Sequence, residues 1–245
     1  MVRVVGINGS PRKYGNTFKL LKVALKVAEA EGAETELVHL IDYDIKPCIG
    51  CLCDDQKACR YPCVIEDDMK ELYDLVLESN GLIIATPVYW FSPSGIVKNF
   101  IDRLTALENM VVVDGVSWVE GKVAGVITVG NDSGVVHVLA TLYATLNGMG
   151  FAIPPWAMAY YSQEGNVLAD GKATLDAANV GRAVALMCKH VKHLERKWYD
   201  AELKDELAAL ARAVEDEARE VERSELAKRK KIFEKALEKA FATDG

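Results

Sequence analysis

Apolar positions along the chain keep two alternating rhythms, short unbroken runs and helical repeats. Val2 to Ile7 is an apolar run that reads as a buried strand, and Phe18 to Ala30 follows with Leu20, Val23, Ala24 and Val27 at helical spacing. Between them lies a small-residue loop, and Asn16 stands where an N-cap is expected. Thr35 to Ile41 alternates and predicts a second strand, whereas 42–66 has no period and predicts a long loop. Asp67 and Asp68 open a helix in which Asp68 and Glu71 resemble a capping box and Met69, Leu72, Leu75 and Val76 form the apolar face.

Gly81 to Thr86 is continuously apolar, as expected of a central parallel strand covered on both faces. Ser92 and Pro93 suit the N-cap and first position of a helix that runs to about Ala106. A turn is expected at Asp114-Gly115, a fourth strand over Lys122 to Val129, and a helix from Val135 to about Gly148. A fifth, weaker strand falls within Phe151 to Tyr160, Gln163 to Lys172 is a loop, and Leu175 to about Trp198 is a closing helix. Strict strand–helix alternation predicts an α/β fold, an open parallel sheet wrapped by helices on both faces.

From about Tyr199 the composition turns Ala-, Glu- and Lys-rich. Leu203, Leu207, Leu210, Val214 and Val221 make one narrow apolar stripe, and Ile232, Phe233, Leu237 and Phe241 make a second, read as two charged helices. The expected division is a domain over 1–198 and a helical extension over 199–245 that serves as an oligomerisation arm, giving a dimer or tetramer. With 245 residues, half of them hydrophobic, the chain can build one sizeable core. Its net charge of −7 disfavours nucleic acid and anionic membranes as partners. The N-terminal apolar run is too short for a membrane span or signal peptide, so a cytoplasmic protein is expected.

In a doubly wound sheet, ligands sit beyond the carboxyl ends of the strands where the strand order reverses, here between the first and third strands. The first-strand loop carries Ser10, Arg12, Asn16 and Thr17, with Gly9 and Gly15 allowing a close turn, at a helix N-terminus that favours a phosphate. The third-strand loop carries Pro87, Val88, Tyr89, Trp90 and Phe91, whose aromatic rings suit stacking on a flat heterocycle. The fourth-strand loop adds Gly130, Asn131, Asp132 and Gly134 on the same edge. Phosphate beside a planar ring describes FMN better than NAD, because the dinucleotide fingerprint G-x-G-x-x-G is absent.

Gly-Ser-Pro-Arg-x-x-Gly-Asn-Thr after the first strand, Pro-Val-Tyr-Trp after the third, and Ser-Pro-Ser-Gly-x-x-Lys-Asn-Phe-x-Asp-Arg in the next helix resemble the NADPH-dependent FMN reductase family. Within it the chain is most similar to the iron–sulphur flavoproteins, over about residues 1 to 195. The resemblance implies a flavodoxin-like sheet of five parallel strands in the order 2-1-3-4-5. It implies that Ser10, Arg12, Asn16 and Thr17 bind the FMN phosphate and that Pro87 to Trp90 line the isoalloxazine.

Five of the six cysteines, Cys48, Cys51, Cys53, Cys59 and Cys63, fall in the aperiodic loop, followed by Val-Ile-x-Asp-Asp-Met as in the iron–sulphur flavoproteins. Their spacing departs from that pattern by the one-residue step from Cys51 to Cys53 and by the fifth cysteine. Cys48, Cys51 and Cys63 correspond best, with Cys53 and Cys59 competing for the fourth place. Four thiolates on one loop suit a [4Fe–4S] cluster or tetrahedral zinc, and disulfides stay open because Lys/Glu-rich thermophile proteins carry them in the cytosol. Cys188, on an apolar helical face, reads as a buried structural thiol.

The function expected is an FMN-dependent oxidoreductase that takes electrons from NAD(P)H, bound transiently, and passes them to a small acceptor such as a flavin, quinone or oxidant. The cofactor carries the chemistry, so no catalytic side chain is assigned. The alternative is a non-enzymatic flavodoxin-like electron carrier or sensor with a zinc- or disulfide-stabilised cysteine loop.

Overall fold

The computed structural model describes residues 1–191, 198–199 and 203–242. Its strands are β1 (Val2–Asn8), β2 (Ala33–His39), β3 (Gly81–Tyr89), a two-residue β4 (Ser92–Pro93), β5 (Val123–Gly130) and β6 (Met158–Ser162). The five longer strands pair in parallel in the order β2-β1-β3-β5-β6, the order that the resemblance implies. Helices α1 (Asn16–Ala30), α2 (Met69–Glu78), α3 (Gly95–Glu108), the single-turn α4 (Met110–Val113) and α5 (Val135–Gly148) connect them, and α6 (Gly171–Val191) follows the last strand.

Two apolar layers sandwich the sheet. One joins Leu72, Val76, Phe100, Leu104, Leu142 and Leu146 of α2, α3 and α5 to the strands. The other joins Leu21, Leu25, Val180 and Val184 of α1 and α6 to the opposite strand faces. Leu82 to Ala85 of β3 are buried on both sides, which is why that stretch is uniformly apolar rather than alternating. The register then fixes the functional edge. Asn8 of β1 stands opposite Ala85, and Pro87 of β3 opposite Val129, so three loops leave the sheet side by side at its carboxyl edge.

Several local expectations give way to tertiary contacts. Ser92-Pro93 does not open α3: it folds back antiparallel on Val88-Tyr89, and Ser94 becomes the N-cap residue. Asn16 is the first helical residue rather than the cap, a place taken by Gly15. The predicted capping box does not form, because the Asp68 carboxylate accepts from Asp44 N (2.7 Å) while Asp67 Oδ1 accepts from Met69 N (3.1 Å). Helix α6 begins at Gly171, four residues before Leu175, and the stretch 192–197, through which it was expected to run, lies outside the described residues.

The chain divides into a unit over Met1–Trp198 and a second over Tyr199–Gly245. The second is one continuous helix, α7 (Lys204–Ala242), instead of two. Its apolar residues Leu207, Leu210, Val214 and Val221, then Leu226, Phe233 and Leu237, are exposed; the side chain of Phe241 lies outside the described residues. At 100° per residue Leu226, Phe233 and Leu237 are turned by about 130° from the first group, while the exposed Ile232 stays in line with it, so apolar residues stand on two sides of one unbroken helix. No helix among the described residues is long and apolar enough to cross a membrane.

Candidate functional site

The site grows from Asn8, a fully buried polar residue at the end of β1. Its side-chain oxygen accepts from Ser10 N (3.2 Å) and its amide nitrogen pairs with His39 Nδ1 (2.8 Å). Ser10 Oγ in turn accepts from Arg12 N (3.1 Å), so the loop is folded by its own side chains into a turn that enters α1 at Gly15. The first amides of that helix have no intrahelical partner and form the positive end of its dipole. In the sequence Asn8 carries no signal of its own, being a polar residue at the end of a strand.

Of the predicted phosphate donors, Ser10 and Thr17 are buried at the base of the loop and Arg12 is exposed beside it. Asn16 sits at the helix start, but its side chain is engaged elsewhere. Its Nδ2 donates to Gly165 O (2.7 Å) and its Oδ1 accepts from Val167 N (3.3 Å), tying the loop to the segment after β6. Only its backbone N–H therefore faces the same task as its neighbours. Gly15 has an ordinary φ of −71° and space for a Cβ, so its role is capping rather than a forced turn. Gly9 is different: a Cβ there would stand 2.0 Å from Val97 Cγ2.

Gly9 also joins the first loop to the third-strand loop. Its N–H donates to Ala85 O (2.8 Å) and its carbonyl accepts from Ser94 Oγ (2.6 Å). Beyond Pro87 and Val88, β3 ends in a two-residue hairpin, with Tyr89 paired to Ser92 and Trp90-Phe91 as the turn. Both turn residues have positive φ, 50° and 60°, the conformation of a type I′ turn that Asn-Gly ordinarily occupies. For bulky residues this strain costs about 1–2 kcal/mol each. Trp90 is 94% exposed, Phe91 57% and Tyr89 47%, so core burial does not compensate it. Strain without burial is characteristic of binding surfaces.

Gly130, Asn131 and Asp132 leave β5 next to this hairpin, and Gly134 (φ +81°) lets Phe91 lie directly on the loop, where a Cβ would meet Phe91 Cδ1 at 2.9 Å. All three predicted loops thus share one edge, with the turn that enters α1 at one side and exposed aromatic rings at the other. Replacing Trp90-Phe91 by Asn-Gly is expected to stabilise the fold by about 1–2 kcal/mol while weakening ligand binding. Denaturant unfolding of the doubly substituted protein, paired with a flavin titration, reads both changes.

The cysteine loop lies over α2, α3 and α4. Asn109 Nδ2 donates to the carbonyls of Gln56 and Cys59 (both 2.6 Å), and Tyr61 Oη donates to Asp74 Oδ1 (2.6 Å). All six cysteines carry free thiols. Burial pushes the Cys59 thiol up to about 12, with Cys51, to which it is hydrogen-bonded, and Cys48 and Cys63 acting in the same direction. Cys59 is buried, Cys51 and Cys63 are half-buried, and Cys48 and Cys53 are exposed. Among the described residues no three Cys, His, Asp or Glu side chains converge at metal-ligand spacing. Four neighbouring soft donors on one loop fit an iron–sulphur or zinc centre chemically. Cys188 is buried on α6, and burial likewise raises its thiol to about 12.

Beneath that loop is an ion pair, Arg103 with Asp67, whose side chains are 1% and 0% exposed (2.5 Å). Burial by itself disfavours the charged form of Asp67, but the guanidinium and the N–H groups of Lys46 and Met69 hold its carboxyl below the usual carboxylate range. Arg103 also donates to Lys46 O (3.0 Å) and Ile65 O (3.3 Å), and Asn99 donates to Ile45 O (3.0 Å). One helix, α3, thus meets Gly9 through Ser94, just before its first turn, and holds the cysteine loop from its later turns.

A family model described as NADPH-dependent FMN reductase matches residues 2–163. The chain belongs to that family. It is 46% identical over 103 residues to an iron–sulphur flavoprotein of Archaeoglobus fulgidus, covering 42% of this chain and 46% of that one. With the similar protein of Methanocaldococcus jannaschii the identity is 40% over 103 residues, 42% of this chain and 51% of that one. The matches span about half the length of these relatives. A putative NAD(P)H-dependent FMN-containing oxidoreductase of Bacillus subtilis is 31% identical over 73% of this chain and 95% of its own length. Among solved structures, RosB with a bound 8-demethyl-8-formylriboflavin-5'-phosphate intermediate superposes with a TM-score of 0.67 at 23% identity, over 89% of this chain and 88% of that chain. An archaeal flavodoxin superposes with a TM-score of 0.51 at 12% identity, over 78% and 100%. The fold of this family member is flavodoxin-like.

Proposed function

We propose that the protein is an FMN-dependent oxidoreductase that takes electrons from NAD(P)H and delivers them to a small acceptor such as a flavin, quinone or oxidant. The observation that carries this reading is the single edge on which an amide-lined anion turn, Gly9 to Thr17, stands beside the exposed Tyr89-Trp90-Phe91 hairpin. Ser10, Thr17 and the first amides of α1 hold the phosphate, with Arg12 beside them. Pro87 to Phe91 and the loop from Gly130 to Gly134 line the ring. Bound FMN supplies the two-electron chemistry. The chain's own part is to orient the ring and leave one face open for a transient nicotinamide, which the high exposure of Trp90 suits.

Cys48, Cys51, Cys59 and Cys63 are the four thiols that would hold an iron–sulphur centre, a reading supported by their shared surroundings and by the names of the relatives. Titration of the apoprotein with FMN, followed by quenching of flavin fluorescence, tests the phosphate cradle. Ser10→Ala combined with Thr17→Val is expected to raise the dissociation constant by about 10-fold or more, since hydrogen bonds to a charged group contribute about 1.5–3 kcal/mol each. Unchanged affinity contradicts the assignment.

Helix α7 is proposed as the oligomerisation arm. It presents exposed apolar residues on two sides and runs from an acidic half, with Glu215, Asp216, Glu217, Glu220 and Glu222, into the basic run Lys228 to Lys231. A chain ending before Tyr199 is expected to elute and scatter light as a monomer while retaining flavin. An unaltered oligomer mass contradicts the arm.

A further inference from the structure

Arg103 makes contacts that an ordinary core ion pair does not need. Its guanidinium reaches Lys46 O just before Cys48, and Ile65 O and Asp67 just after Cys63, so one side chain holds both ends of the thiol-bearing loop. Two of its three nitrogens are satisfied in this way. The third, Nε, is buried and has no hydrogen-bond partner. A buried donor left unmade is costly, so such a group calls for a partner that arrives with a ligand. The surrounding chemistry identifies that partner. Ile65, whose carbonyl Arg103 holds, stands two residues after Cys63, Cys63 packs against the core cluster that contains Tyr73, and the buried Tyr73 donates its hydroxyl to Arg103 O (2.7 Å).

We propose that Arg103 is the positioning residue of the cysteine centre: it pins both ends of the loop, and its free Nε–H and positive charge serve the sulphur of Cys63 when a centre is bound. The inference rests on the iron–sulphur reading above and adds to it a residue outside the thiol set. Outer-shell groups that orient ligands and donate to thiolates tune both retention and potential of such centres. A fixed cation next to the ligand sulphurs favours the reduced, more negative state. Asp67, its counter-ion, opposes that effect from the other side.

The test uses the full chain reconstituted anaerobically with iron and sulphide, comparing wild type with Arg103→Gln and Asp67→Asn. Arg103→Gln is expected to lose iron to a chelator about 10- to 100-fold faster. It should shift the midpoint potential of the remaining centre downward and expose amides over 44–66 to faster hydrogen exchange, with exchange in β1, β3 and β5 unchanged. Asp67→Asn, which removes the charge and keeps one of the two acceptor oxygens, should shift the potential upward. Opposite shifts are not a consequence of mere loosening. Equal iron retention and an unmoved potential in both variants overturn the proposal. Where Arg103→Gln does not fold, Asp67→Asn decides it: an unmoved or lowered potential overturns it. If the wild type itself takes up no iron and sulphide, the iron–sulphur reading fails. Exchange over 44–66 then decides the clamp separately: faster exchange in Arg103→Gln supports it, and equal exchange overturns it.

Discussion

Asp67→Ala is expected to cost about 3–5 kcal/mol, because it strands a buried guanidinium without its counter-ion. For a domain of this size that corresponds to a fall of roughly 6–20 °C in Tm. The sign of the pH dependence follows from the same pair. Asp67 is ionised in the folded state at lower pH than in the unfolded chain, so its contribution is complete above the ordinary carboxylate pKa of about 4 and is lost as pH falls below it. Thermal unfolding of wild type and variant between neutral pH and pH 3 checks this. The gap between them should narrow in acid, and a gap that stays constant would show that the charge of Asp67 is not what stabilises the fold.

Gly9→Val has the second large expected effect, and it acts on the site rather than on stability alone. Even the first carbon of the new side chain would stand 2.0 Å from Val97 Cγ2 and 3.1 Å from Ala85 O, so either α3 or the loop must move. Overpacking of this kind costs about 1–3 kcal/mol. The loop is the softer partner, and its displacement carries the first amides of α1 out of register with the phosphate. A loss of that size in binding raises the FMN dissociation constant by about 10- to 100-fold. Flavin content after purification and a fluorescence titration read it directly. Val97→Ala, which opens space at the contact, should restore part of the affinity in the double variant.

Much of this architecture was legible in the chain. The uniform apolar run Gly81 to Thr86, the strand–helix alternation and the small-residue loop after β1 define the sheet and its switch point, because burial on both faces of a parallel sheet leaves that imprint. What escaped was decided by contacts distant in sequence. Ser92-Pro93 has the local signature of a helix start, yet pairing with Val88 and Tyr89 turns it into a hairpin arm. Asn16 is a good cap residue, but Gly165 and Val167 claim its side chain. Asp67 and Arg103 each lay within a recognised motif, and nothing in either motif says that the two meet beneath the cysteine loop. That Cys59 is the buried thiol of the loop depends on the path of the loop over Asn109, whose amide donates to its carbonyl, and spacing does not encode that path. In α7 the two apolar groups predict two helices because Phe233 and Leu237 lie on another side from the first group, although Ile232 continues its line. No Gly or Pro interrupts the sequence there, and the backbone runs on.

The measurement that tests the account most directly is an anaerobic visible spectrum of the purified protein, with iron, zinc and acid-labile sulphide assayed on the same sample. Flavin bands with a broad underlying shoulder are expected, with iron and sulphide both present. Flavin with zinc or without iron would contradict the assignment of Cys48, Cys51, Cys59 and Cys63 to an iron–sulphur centre. A protein that stays colourless after FMN is added would contradict the reading of the carboxyl edge from Gly9 onward.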